Sequence, residues 1–143
     1  MIKGVDYIGV YVVFFCHDGK GNFVMAKRSA LARDEQGRWD IGGGGLEHGQ
    51  TAEETLKKEI QEEYGTQAIS YEFLGFRDVH REQDEKRTHW IALDFKVLVD
   101  PLSVRLNEPH KFDGLSWFTL SNIPENSHSQ FSVFLEKYRE RLS

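Results

Sequence analysis

Four consecutive glycines, Gly42 to Gly45, interrupt the middle of the chain and restrict what can be built around them. Glycine has no Cβ, so it adopts backbone conformations that other residues avoid, and it loses more entropy on ordering. We therefore expect this segment to be neither helix nor ordinary strand interior. Just after it, Thr51 and Glu54 have the spacing of a capping box, and Gly65 suits the left-handed residue that ends a helix. The sequence thus predicts a glycine turn followed by a helix over residues 52–64.

The other segments alternate in a way that indicates strands and one further helix. Residues 7–16 and 23–28 are rich in β-branched and aromatic side chains, as paired strands are. Further strands are predicted over 69–79 and 89–99, separated by a charged loop, and over 115–120; a C-terminal amphipathic helix is predicted over 129–142. This order favours an α/β or α+β fold, with a mixed β-sheet sandwiched between helices, as a single domain over residues 1–143.

Composition narrows the class of protein. The formal net charge is −5, which argues against stable binding to nucleic acid, because such binding depends on a basic surface. The one cysteine, Cys16, excludes an intramolecular disulfide and suits a reducing compartment. The longest apolar run, Ile8 to Cys16, is too short to cross a bilayer and is not followed by a signal-peptide cleavage site. We therefore expect a cytoplasmic protein without a membrane segment.

The predicted helix carries acidic residues where a surface helix would carry apolar ones. Its apolar stripe consists of Ala52, Leu56 and Ile60. Glu59 and Glu63 lie on the same side as this stripe, and Glu62 lies at its edge, one turn from Glu59. Partly buried like charges repel, and a divalent cation would remove that repulsion, because hard cations prefer carboxylate oxygens. The helix alone fits a magnesium site and a solvated acidic helix end equally well.

The spacing between the glycine run and the glutamates of the helix resembles that of the Nudix box. That box reads glycine, five residues, Glu, seven residues, Arg-Glu, an aliphatic residue, any residue, Glu-Glu, any residue and glycine. The matching residues here are Gly44, Glu59, Ile60, Glu62, Glu63 and Gly65. The chain departs from the box at Gln50, Lys58 and Thr66, which stand for the first Glu, the Arg and the closing aliphatic residue. The resemblance implies the Nudix fold and a magnesium-dependent hydrolase of the Nudix family.

The resemblance also implies roles for individual residues. Glu59 and Glu63 would be inner-sphere metal ligands and Glu62 a third, direct or through water; all three would be catalytic. The Gly43 carbonyl would coordinate the same Mg²⁺, for which Mn²⁺ could substitute. In the family, the first Glu and the Arg brace the turn. Gln50 and Lys58 could still hydrogen-bond there, but without the bidentate fork of arginine, so rate and metal affinity are affected more than reaction type.

The general base is either a glutamate of the box or an acid from a loop. For the loop acid, Glu108 is the first choice and is also placed among the substrate contacts; the alternatives are Glu82, Asp84 and Glu85. For each of these residues, plain surface charge is an open alternative. The sequence does not align one of them uniquely.

Substrate contacts are predicted at two further residues. Arg28 ends a strand and would hold a phosphate, or be an ordinary surface arginine; Trp117 would stack on a nucleobase, or belong to the core. His80 and His89 show no metal-ligand spacing and are interpreted as ordinary polar residues.

The predicted reaction is hydrolysis of a nucleoside triphosphate to the monophosphate and pyrophosphate. The chain begins close to its first strand, as do the short MutT-like family members that act on such substrates. The alternatives are an enzyme that cleaves nucleoside diphosphate sugars or similar compounds, and a nucleotide-binding regulatory module with little catalysis. The expected partner is a small nucleotide, and the expected state is a monomer or a homodimer.

Overall fold

Seven strands form one sheet that carries a helix on each face. The computed structural model describes all residues, 1–143. The elements are β1 Gly9–His17, β2 Phe23–Arg28, β3 Trp39–Asp40, β4 Gly42–Gly45, α1 Ala52–Tyr64, β5 Ser70–Gln83, β6 Lys86–Leu98, β7 Phe112–Phe118 and α2 Ser129–Leu142. Neither helix is long and apolar enough to cross a membrane.

The sheet is mixed, with the order β3-β2-β1-β6-β5, while β4 pairs with β1 and β7 pairs with β2. The β1–β6 pair is parallel and runs from Gly9↔Trp90 to His17↔Leu98. All other strand pairs are antiparallel. This arrangement confirms the predicted mixed sheet and the α+β fold.

Alternation along β1 divides the core into two layers. Val13 and Phe15 point to the layer that contains the buried face of α2, whereas Val12 and Phe14 point to the layer under α1. Successive side chains of a strand point to opposite faces, so an almost wholly apolar strand requires cover on both. Strand β1 is therefore a central strand of a sandwich of three layers, in which the sheet lies between α1 and α2.

Helix α1 begins and ends where the sequence predicts. The Thr51 hydroxyl accepts the Glu54 N–H, and the Glu54 carboxylate accepts the Thr51 N–H, each at 3.1 Å. Gly65 ends the helix in the left-handed conformation, with φ of 61°. Both caps satisfy backbone groups that the helix leaves unpaired, which sets the register of its carboxylates relative to the sheet.

The glycine run is a strand, so the prediction that it forms no ordinary strand is wrong. Gly42 to Gly45 pair antiparallel with Phe14 to Tyr11 of β1. A Cβ on Gly42 would lie 1.9 Å from the Phe14 ring, and one on Gly43 would lie 2.8 Å from the Val12 carbonyl oxygen. The low strand propensity of glycine reflects lost side-chain packing. Here neighbouring groups occupy the space of the missing side chains, and pairing with β1 satisfies the backbone.

The charged loop predicted between the two long strands is mostly a hairpin. Strand β5 runs to Gln83 and β6 starts at Lys86, so only Asp84 and Glu85 turn the chain. Both have positive φ, 52° and 65°, as a two-residue hairpin turn of type I′ requires. Charge made this segment resemble a loop, although alternating polar residues suit strands that leave the core.

The same hairpin brings together two histidines that are separated in the sequence. His80 and His89 are direct partners across β5 and β6, with ring centroids 4.2 Å apart. Together with Asp78 they bring possible ligand atoms within 4.8 Å of one another. Sequence spacing gave no sign of this cluster, because hairpin pairing and not helical or CxxC spacing creates it.

Candidate active site

A cavity of about 520 Å³ lies on the α2 side of the sheet and reaches the glycine strand. Its size is within the range of roughly 300–1,000 Å³ that is usual for small-molecule sites. Gly42 to Gly45 and Glu63 line one part, and Tyr11, Trp90 and Phe134 line another. Because Glu63 belongs to α1, on the other face, β4 is the place where the acidic helix meets the cavity.

The glycine strand lies directly against two glutamates of the box. Glu63 is buried and accepts the Gly43 N–H at 3.2 Å. Glu59 lies so close to Gly44 that a Cβ there would be 2.2 Å from the Glu59 carboxyl carbon. Glu62 lies further out: its side chain is 41% exposed and its carboxylate is 3.8 Å from the Lys58 ammonium. The helical register thus places Glu63 at the cavity, Glu59 against the glycine strand and Glu62 further out.

Burial changes the protonation of these acids. It raises the pKa of Glu59 to about 7, and repulsion from Glu62 adds to the effect. Burial, followed by the charge of Glu59, raises the pKa of Glu63 well above its usual range. Burial also raises the pKa of Asp40, another cavity residue, to about 7. Such shifts mark a place where negative charge lacks compensation, and a bound cation would supply it.

A loop from the C-terminal half brings Glu108 to the same cluster. The side-chain amide of Asn107 donates to the carbonyl oxygens of Gln61 and Glu62, each at 3.1 Å. The Gln61 carbonyl also accepts the Gly65 N–H, whereas the Glu62 carbonyl is one that the end of α1 leaves without a backbone partner. Beside it, Glu108 Oε1 is buried without a hydrogen bond. Its charge raises the pKa of both Glu59 and Glu63.

The other acids considered for the general base lie elsewhere. Glu82, Asp84 and Glu85 are exposed at the end of the β5–β6 hairpin and do not line the cavity. The structure therefore brings together Glu108 and the box glutamates, and it separates the three alternatives from them.

By its donor chemistry this set of residues suits a hard divalent cation, although no three of the carboxylates bring oxygens within 4.8 Å of one another in this structure. All the donors are carboxylate oxygens, and one of them, Glu108 Oε1, is buried and lacks a partner. Glycine at position 44 leaves the Glu59 carboxylate the space that a side chain would fill. Gly43 presents its N–H to Glu63, and coordination through its carbonyl stays a prediction. Carboxylate oxygens are the ligands that hard divalent cations prefer.

The turn between β4 and α1 is braced by contacts other than a Gln50–Lys58 pair. The Lys58 ammonium lies 2.5 Å from a carboxylate oxygen of Glu47. Gln50 accepts a hydrogen bond from the Thr55 hydroxyl at 3.0 Å. Gln50 and Lys58 therefore both have partners, and Glu47 supplies the negative charge that Gln50 lacks.

Arg28 lines the cavity and is held by an acidic loop. Its Nη2 lies 2.8 Å from Asp34 Oδ1, and its Nε donates to the Asp34 carbonyl at 3.0 Å. Arg81 of β5 also contacts Asp34, at 3.0 Å, and Glu35, at 2.5 Å. His128 completes this network through Glu35 at 2.9 Å. The potential ligand atoms of Asp34, Glu35 and His128 lie within 4.8 Å, but these ion pairs already engage them.

Trp117 lies away from the cavity. It pairs with Val24 in the β2–β7 ladder and packs on the core layer under α1. Alternation along β7 turns it from the α2 side, where the cavity is. The aromatic residues that line the cavity are Tyr11, Trp90, Phe112, Phe131 and Phe134.

Sequence reasoning missed several charged residues of the cavity, among them Asp40, Arg77, Arg81 and Lys111. A signal existed for Arg77 and for its partner Asp94. Each is a charged residue inside a predicted strand, with Phe76 before Arg77 and Leu93 and Phe95 on either side of Asp94. A pair of opposite charges at buried positions indicates an internal ion pair, although only strand pairing shows that the two meet.

Comparison with known proteins identifies the family. The NUDIX domain matches residues 7–138. The nucleoside triphosphatase NudI of Klebsiella pneumoniae subsp. pneumoniae is 30% identical over 129 residues, which cover 83% of this chain and 90% of that protein. The RNA pyrophosphohydrolase of Acidiphilium cryptum is 29% identical over 119 residues, which cover 73% and 71%. The MutT Nudix hydrolase structure from Burkholderia pseudomallei has the same fold, with a TM-score of 0.80 at 23% identity over 92% and 98% of the chains. The chain therefore belongs to the Nudix hydrolase family, in its MutT-like form.

Proposed function

We propose that this protein hydrolyses a nucleoside triphosphate to the monophosphate and pyrophosphate, with Mg²⁺ held by Glu59 and Glu63; Mn²⁺ is a possible substitute. The observation that carries the proposal is the cluster of the buried Glu63 with the partly buried Glu59 and Glu108, of which Glu63 lines a nucleotide-sized cavity at the glycine strand. The likeness to proteins named nucleoside triphosphatase supports the substrate class.

Each acid has a distinct task in this proposal. Bound magnesium would neutralise phosphate charge and lower the pKa of the attacking water. The Gly43 N–H orients Glu63, and the partly exposed Glu62 and the Gly43 carbonyl would be the remaining ligands of the ion. The unpartnered Glu108 Oε1 accepts the proton of the water. The water oxygen bonds to phosphorus, the bond to the bridging oxygen breaks, and its electron pair leaves with pyrophosphate.

Cationic side chains of the cavity would bind the phosphate chain. Arg28, Arg81 and Lys111 all line the cavity. Arg28 and Arg81 share Asp34, so a phosphate would compete with that carboxylate for both guanidinium groups. Arginine suits this exchange, because its planar fork binds carboxylate and phosphate oxygens alike.

The net charge and the number of cysteines indicate the kind of partner and the cellular compartment. A net charge of −5 favours a small nucleotide over a nucleic-acid polymer as partner. The single cysteine, Cys16, is buried and free, which suits work in the cytoplasm. We propose one functional domain, as a monomer or a homodimer.

A nucleotide panel tests the reaction. Purified protein with Mg²⁺ is given nucleoside triphosphates and nucleoside diphosphate sugars, and phosphate and pyrophosphate are measured. Glu63→Gln should lower kcat/KM on the best substrate at least about 100-fold, since a metal ligand is lost. Glu136→Gln, an exposed acid of α2 without a recorded partner, is the matched control and should keep full activity.

The outcomes separate the candidate functions. Cleavage of the diphosphate sugars alone would replace the proposed substrate class with the alternative one. Nucleotide binding without turnover of any compound would favour a regulatory module. Turnover that Glu63→Gln leaves unchanged would refute the site.

A further inference from the structure

A buried arginine at the floor of the cavity has an unused hydrogen-bond donor. The side chain of Arg77 is only 6% exposed, and it grips the fully buried Asp94 through Nε at 2.7 Å and Nη2 at 2.9 Å. The Tyr138 hydroxyl donates to the same carboxylate at 2.7 Å. Arg77 Nη1 is buried and forms no hydrogen bond, although Arg77 lines the cavity. Buried donors are rarely left unpaired, so an ordered water or a ligand atom would complete the hydrogen bonds of this one.

The groups around this donor are flat and apolar. Tyr11, Ala92 and Arg77 form one row across β1, β6 and β5, and the residues at its two ends, Tyr11 and Arg77, line the cavity. The Trp90 ring meets Tyr11 edge to face, with centroids 5.8 Å apart. The Phe134 ring lies 5.5 Å from the guanidinium carbon of Arg77. Aromatic side chains beside an unpaired donor suit a heteroaromatic ring better than a sugar or a phosphate chain.

The charge balance of the Arg77–Asp94 pair determines which ligand atom would best accept the hydrogen bond from Nη1. Asp94 already neutralises the guanidinium, so the free N–H faces no excess of positive charge that would favour a phosphate. A neutral carbonyl oxygen is the better match. The acidic cluster at Glu63, which lines the same cavity, would repel an anionic ligand that lacks a cation. The cavity therefore has a floor suited to a base and an acidic part suited to a metal-bound phosphate chain.

We propose that Arg77 determines base specificity, by donating from Nη1 to an exocyclic carbonyl oxygen of the substrate. This inference rests on the proposed nucleotide hydrolysis and specifies its substrate. Bases with an oxo group, such as guanine, hypoxanthine or uracil, satisfy the donor. Adenine and cytosine carry an amino group at the corresponding position. Two donors would then face each other, and neither could form a hydrogen bond.

A pair of substrates tests the contact in the unaltered protein. Inosine triphosphate and purine riboside triphosphate share their phosphates and sugar, but the second lacks the 6-oxo group. We expect kcat/KM to favour inosine triphosphate by roughly 10- to 100-fold, as the loss of a charge-assisted hydrogen bond implies. Equal values would overturn the inference and leave the proposed function intact. If neither compound is hydrolysed, the proposed function fails, and calorimetry with the two monophosphates still tests the base contact.

A variant that removes the whole polar group provides the second test. Arg77→Met combined with Asp94→Leu and Tyr138→Phe leaves no buried charge or hydroxyl unpaired, so folding is preserved better than in a single variant. The preference for inosine triphosphate should fall to about one. Arg87→Met, an exposed arginine on the same hairpin, is the control and should keep it. A folded triple variant that retains the preference would refute the role of Arg77, and a triple variant that does not fold leaves the substrate pair as the deciding test.

Discussion

One added methyl group at Gly44 should disable the site without unfolding the protein. In Gly44→Ala, the new Cβ would lie 2.2 Å from the Glu59 carboxyl carbon and 2.4 Å from its Oε2, whereas ordinary contacts begin near 3.4 Å. The carboxylate must therefore retreat by more than about 1 Å. Magnesium requires oxygen ligands at about 2.0–2.1 Å in near-octahedral geometry, so a shift of that size removes Glu59 from the ligand set.

The expected loss is large for activity and small for stability. Misplacement by about 1 Å costs roughly 100-fold in rate, and the Mg²⁺ concentration for half-maximal activity should rise about 10- to 100-fold. The melting temperature should stay within a few degrees, because the clash involves the free end of a side chain and alanine lowers the entropy of the unfolded chain. The assays are initial rates across a Mg²⁺ series and thermal unfolding.

The neighbouring glycine supplies the control. A Cβ on Gly45 would meet nothing within 4 Å, and its φ is not in the left-handed region. Gly45→Ala should therefore keep rate and Mg²⁺ dependence within about twofold. Normal Mg²⁺ dependence in Gly44→Ala would refute the contact with Glu59. Equal losses in both variants would show that strand flexibility matters, and not the fit against the carboxylate.

Three further predictions follow from other contacts. Lys58→Met should lower kcat/KM about tenfold by freeing the turn, yet leave the melting temperature nearly unchanged, since the lost ion pairs are exposed; an unaltered rate would argue against bracing. The pKa values of Glu59 and Asp40 are raised to about 7 in the folded protein, so their contribution to stability is present below about pH 4 and is lost as the pH rises through 7. Without metal the melting temperature should fall between pH 5.5 and pH 8, and Mg²⁺ should raise it more at pH 8 than at pH 5.5; an equal rise at both would contradict the shifts. Arg77→Met alone should cost about 3–5 kcal/mol in urea unfolding, because it leaves Asp94 buried without its charge partner, and Arg77→Met with Asp94→Leu should recover most of it.

Local rules in the sequence were sufficient for the elements of the fold. The caps at Thr51 and Gly65 are formed by side chains and conformations that the chain supplies within a few residues. The bounds of α1 and α2 were predicted for that reason, and helical spacing alone placed Glu59 and Glu63 on the buried side. Two predictions failed where a partner strand outweighed local preference, at the glycine run and at the β5–β6 hairpin.

The sequence by itself determined the two helices, the central strand and the acidic face of α1, because each depends on residues a few positions apart. Only the tertiary structure decided which groups meet that face. Glu108 reaches Glu59 because Asn107 binds the end of α1, and Arg77 reaches Asp94 because two strands pair in one register. Such contacts join residues far apart in the chain, and no local preference specifies them. The four glycines illustrate both contributions. Their lack of side chains allows other groups to lie close to the backbone, and the fold determines that these groups are Phe14 and the Glu59 carboxylate.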